Sequence, residues 1–158
     1  MMILLRIVLI ALIAAIAAPA TAQDKGTSTM EILRQKVRAD KKLLVAVNVG
    51  LTGPQEKAFW PIYDAYQKDL EQIDKRLAKV IADYADAYNQ GLVPNETAKK
   101  LLNDALAIEE AEVALKRSYV PKLEKALPEA KVARYIQIEN KIRALVRYEL
   151  ADKIPLVK

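Results

Sequence analysis

The 158 residues contain no cysteine and no histidine, and those two absences remove most of the chemistry a small protein performs. The common nucleophile–base pairs cannot be assembled, and most zinc and copper sites lose their ligands. Glu109, Glu110 and Glu112 form an acidic cluster, but a di-iron bundle of the usual kind needs Glu-x-x-His. Glycine is scarce as well. Gly26, Gly50, Gly53 and Gly91 are scattered, so no loop can cradle a phosphate. Carboxylate pairs could in principle move protons, yet nothing in the sequence places two of them in a cleft. The chain reads as a non-enzyme with no metal, no cofactor and no small-molecule substrate. Without cysteine there is also no disulfide and no cysteine-borne lipid anchor, so stability must come from helix packing.

Only one long hydrophobic run is present, at the start. Arg6 is the single charge in residues 1–22, Ile7 to Ala18 is unbroken aliphatic, and Ala18-Pro19-Ala20-Thr21-Ala22 supplies small residues before Gln23. That order is a secretory signal peptide with cleavage expected after Ala22. The run is shorter than the roughly 20 residues that span a bilayer. The mature chain is therefore expected in the periplasm. Removing Arg6 from the 25 basic side chains leaves 24 against 20 acidic ones, a mild cationic excess. Export, and the lack of helix-turn-helix spacing or basic–aromatic interleaving, argue against nucleic acid as a partner.

What the chain has in abundance is helical periodicity, organised around residues 52–90. Phe59, Tyr63, Tyr66, Leu70, Ile73, Leu77, Val80, Tyr84 and Ala87 step by four and three, the seam of a helix lying along another. The stretch 95–126 answers with Leu101, Ala105, Ile108, Leu115 and Tyr119, with Ala111 filling the slot at Glu112. Only Gly91-Leu92-Val93-Pro94 separates the two, which forces them antiparallel. The fold class expected is all-α: a long hairpin of helices 2 and 3, with arms of roughly 45–60 Å, and shorter helices on either side. Folding at Gly91 sets Pro61 opposite Pro121 and Tyr63 opposite Tyr119, and the paired prolines predict a shared kink. The alternative is that helix 2 starts late, with Pro61 in its first turn. Helix 3 is alanine-rich and helix 2 carries tyrosines, as large-against-small packing requires. Tyr63, Tyr66, Tyr84 and Tyr88 read as core, with an aromatic binding face as the other option.

Four helices are expected, at about 29–48, 53–90, 95–126 and 128–152, in a single domain over 23–158. Ser28 to Glu31 is a capping box for helix 1, whose apolar stripe is Met30, Leu33, Val37, Leu44 and Val47. Arg34, Lys36, Arg38, Lys41 and Lys42 make its other faces basic. They form either a docking surface for an anionic partner or a solvated face, the plainer reading. Gly50 is a left-handed C-cap, and Asn95 can cap helix 3. Helix 4 opens at Pro128, with Val132, Tyr135, Ile136, Ile142, Leu145, Val146 and Leu150 as its stripe. Gln137 and Asn140 are its candidate buried polar groups. Ile154 to Val157 ends the chain apolar, as a tail tucked on the hairpin or a docking strand. Trp60 falls off the seam and is the candidate exposed anchor.

Leu51-Thr52-Gly53-Pro54-Gln55 is a second capping box, with Thr52 at the cap and Gln55 reaching back. Leu-Thr-x-x-Gln at the head of a long amphipathic helix, in a small exported helical chain without cysteine, resembles the Spy/CpxP-like LTxxQ family. Leu51, Thr52 and Gln55 carry the likeness; Leu127 to Lys131 opens helix 4 in a comparable place but lacks the threonine and glutamine. The resemblance implies a periplasmic protein, chaperone-like or tied to envelope stress, with a curved dimeric cradle as its fold. Its partners would be unfolded or membrane-protein clients, or one envelope protein such as a sensor, with a homodimer possible.

Overall fold

The computed structural model describes residues 39–157. The signal-peptide reading, the first capping box, Arg34, Lys36 and Arg38 fall outside them. Among the described residues there are four helices and no strand: α1 over residues 39–49, α2 Gly53–Asn89, α3 Asn95–Glu124 and α4 Glu129–Lys153. Helix packing of α2 on α3 is the dominant contact between elements, and it makes the expected hairpin. Two compact units emerge: residues 51–136 with 154–157, and residues 39–50 with 137–153.

The first unit is the hairpin. Phe59, Tyr63, Tyr66 and Ile73 of α2 are buried, and Leu70, Leu77, Val80, Tyr84 and Ala87 are half-buried, so the seam is the one the periodicity marks. On α3 the buried positions are Leu101, Ile108, Glu112, Tyr119 and Leu123. Glu112, not Ala111, occupies the seam slot, which corrects the expected register at that turn. A glutamate there keeps the helical step that an alanine one residue earlier would break. Tyr119 is likewise not opposite Tyr63; its ring meets Tyr66 at 5.3 Å, edge to face. Helical side chains lean toward their own N-terminus. In an antiparallel pair that tilt carries Tyr119 toward the loop, and so onto a later residue of α2.

Pro61 and Pro121 lie inside α2 and α3, and both face solvent. A start at Gly53 puts Pro61 well beyond the first turn, so the late-start alternative does not hold. Thr52 has the extended backbone of an N-cap, and its N–H donates to Gln55 Oε1 at 3.1 Å, so the box forms as spelled. At the loop Gly91 takes φ 118°, which only glycine adopts without strain, and Val93 is buried. The cap of α3 is Pro94, whose carbonyl accepts the Ala98 N–H at 2.9 Å. Asn95 is instead the first helical residue. Proline's fixed φ supplies the extended turn that asparagine was expected to provide.

The second unit pairs α1 with residues 137–153. Gly50 ends α1 at φ 63°, its N–H donating to the Ala46 carbonyl. Its buried side chains are Val45 and Val49, whereas Val47 is 72% exposed. The inward face of α1 is therefore rotated from the expected stripe of Leu44 and Val47. The reason is Lys41, which shares the face of Val45 and Val49 at a spacing of four. On the α4 side Val146 and Glu139 are buried, while Gln137 and Asn140 are exposed. Glu139, and neither amide, is the polar group turned inward.

Candidate interaction surface

The basic face of helix 1 is the first place where the structure sorts the candidates. Lys41 Nζ reaches Glu139 Oε2 at 2.8 Å, with side chains 14% and 4% exposed. An ammonium so placed is an internal partner for a carboxylate that burial would otherwise penalise heavily. Lys41 therefore leaves the docking set. Lys42 is half-buried. Open to solvent on the same helix are Leu43 and Val47, one turn apart. The surface that the described residues of α1 present is chiefly apolar.

Trp60 is half-buried rather than a projecting anchor. Its ring stands edge-on to Phe59 at 5.0 Å and to Tyr63 at 5.4 Å. Phe59 in turn packs edge to face on Tyr135 at 5.1 Å, and Tyr66 joins both Tyr119 and Tyr135. These six rings gather where α2 begins, α3 ends and α4 begins. Edge-to-face stacking of this kind contributes about 0.5–1.5 kcal/mol per pair beyond area burial. Tyr63 and Tyr66 are core, as the spacing indicated. Tyr84 and Tyr88 are half-buried with rings 5.9 Å apart, and the Tyr84 hydroxyl donates to the Pro155 carbonyl at 2.9 Å. The tail is thus held on the hairpin through its backbone, while Leu156 and Val157 remain exposed.

Two polar ties reinforce the cluster. The Tyr119 hydroxyl donates to Asp69 Oδ2 at 2.6 Å, and the Lys122 ammonium lies 4.0 Å from the Tyr119 ring centre. Burial, and then the hydrogen bond and charge of Asp69, push the Tyr119 phenol up to about 12. The second tie involves the family-like motif. Gln55 Oε1, already capping α2, also accepts from Lys131 Nζ at 2.8 Å. Sequence reasoning took this glutamine for a helix cap alone. Lys131, three residues after Pro128, carried no sign of the second role. Leu51 is half-buried and Thr52 exposed, so neither side chain offers a chemical group beyond its cap.

The outer side of α3 holds a shallow concavity lined by Glu109, Glu110, Val113, Ala114 and Arg117. It belongs to one helix face and encloses nothing. Among the described residues no group of three or more acidic, histidine or cysteine side chains could hold a metal ion. None of the described helices is long and apolar enough to cross a membrane. Comparison with models of known protein families, with characterised proteins and with solved structures gives no significant match in any of the three.

Proposed function

We propose that this chain is an exported, non-enzymatic binding protein of the periplasm that engages clients through an amphipathic helical surface. The clients are unfolded or membrane-protein segments, met under envelope stress. The observation that supports the reading most directly is on α1. Leu43 is 65% and Val47 72% exposed on one helical face, in a chain whose preceding sequence carries Arg34, Lys36 and Arg38. Exposed apolar side chains that follow a basic stretch of sequence suit a client segment that is itself apolar and anionic. The Leu51, Thr52 and Gln55 motif, by its resemblance to the LTxxQ proteins, points the same way.

The test is suppression of aggregation of several unrelated denatured proteins at stoichiometric amounts. Protection across clients, lost in L43S/V47S while helicity is unchanged, is the expected result. If no client is protected and crosslinking in the envelope captures one protein, the chain is a dedicated subunit for that partner. If neither occurs, the binding reading fails.

A further inference from the structure

The six-ring cluster of the hairpin unit has an outer and an inner end. Phe59, Tyr63, Tyr66, Tyr119 and Tyr135 are buried, and Trp60 alone is half-buried. Together they include the one tryptophan of the chain and four of its seven tyrosines. Indole and phenol rings give up an electron readily, whereas the phenyl ring of Phe59 does not. From Trp60 the oxidisable rings follow one another to Tyr63 at 5.4 Å, Tyr135 at 6.0 Å, Tyr66 at 6.1 Å and Tyr119 at 5.3 Å. At such centroid separations ring edges touch, and electron tunnelling between touching rings is fast. Among the described residues no sulfur side chain competes for the charge. The chain has no cysteine, and its three methionines, Met1, Met2 and Met30, all precede residue 39.

At the inner end a proton acceptor is in place. The Tyr119 hydroxyl donates to Asp69 Oδ2 at 2.6 Å, a short bond to a carboxylate that is itself exposed. The Lys122 ammonium, 4.0 Å from the ring centre, opposes any positive charge left on Tyr119. Loss of an electron there must therefore be matched by loss of the proton. We propose that the cluster is a one-electron redox site, in which a small oxidant takes an electron at Trp60 and the hole comes to rest on Tyr119. The oxidant gains one electron, and Trp60 becomes a radical cation. Electrons then move outward ring by ring until Trp60 is restored. Tyr119 is left as a neutral phenoxyl radical, its proton held by the Asp69 carboxylate and passed from there to water. The co-reactant is a strong one-electron oxidant of small size, such as a carbonate radical or a metal complex in a high oxidation state. All residues of the site belong to the hairpin unit and none to α1, so it stands apart from the client-binding reading.

Flash photolysis tests this, with a tris-bipyridine ruthenium complex and a soluble electron acceptor generating the oxidant. The starting variant is Y84F/Y88F/Y148F, which removes the tyrosines outside the cluster. In it the absorbance of a tryptophan radical decays as that of a tyrosyl radical rises, and paramagnetic resonance of frozen samples shows the tyrosyl. Deuterium oxide slows the conversion, because a proton moves with the electron. Adding W60F lowers the tyrosyl yield. Adding Y119F or D69N abolishes the tyrosyl signal and leaves the tryptophan radical long-lived, since an amide at 69 cannot take the proton. Circular dichroism checks that each variant is helical; should Y119F not fold, D69N and the isotope effect decide the matter. A tryptophan radical that never converts overturns the proposal. So does a tyrosyl yield unchanged by W60F, by Y119F or by D69N, or a conversion indifferent to deuterium.

Discussion

Tyr119 is the residue whose surroundings have the clearest measurable consequence. Its phenol is held at about 12, against an ordinary value near 10, so the folded chain binds that proton more tightly than the unfolded chain. The resulting stability is complete below about pH 10 and is lost as the pH rises through about 12. Tyrosinate absorbance should show one of the tyrosines titrating late, and D69N should bring it earlier. Y119F should cost about 1–2 kcal/mol in urea denaturation, since it removes a hydrogen bond to a charged acceptor. In the other unit, Lys41 and Glu139 form a buried pair, and K41M takes the ammonium away from the buried carboxylate. A loss of about 3 kcal/mol is expected, and K41M/E139L should recover most of it. Neither pair was legible from spacing. An aspartate at 69 reads as one more solvated charge, and a lysine at 41 interrupts the apolar stripe it shares. Charged residues that face inward defeat a pattern built on hydrophobicity, and for that reason the α1 face was read one step out of phase.

At the level of elements, the hairpin could be read in advance because large side chains recur on its seam without ambiguity. Phe59, Tyr63, Tyr66 and Ile73 on one arm, and Leu101, Ile108 and Tyr119 on the other, were all placed correctly by period alone. The ends of α2 followed from Thr52, Gln55 and Gly91, which are strong stop and start signals. Contacts between arms were less legible, because side-chain tilt shifts who meets whom by about a turn. The six-ring cluster also drew on Tyr135, from a helix whose position no local pattern specifies. F59A should cost about 3–5 kcal/mol, as truncation of a fully buried aromatic does. Pro61 offers the opposite sign. It is exposed and lacks the N–H that would bond to the Lys57 carbonyl, so P61A should stabilise by up to about 3 kcal/mol in the same assay. A destabilised P61A would mean that a bend at this proline matters for packing around it.

On the scale of the whole molecule, hydrogen exchange should separate the two compact units. K41M should raise exchange in residues 39–49 and 137–153 while the α2–α3 seam stays protected. Loss of protection throughout would mean that the chain opens as a single cooperative body. One tie inside the hairpin unit acts over long sequence distance, the Gln55 amide that caps α2 and accepts from Lys131. A carboxylate at 55 would make both contacts more strongly at neutral pH, and would release them below about pH 4. An amide has no proton to gain in that range. The knot between the beginnings of the second and fourth helices is thus indifferent to acid, an advantage for any molecule whose surroundings are not buffered.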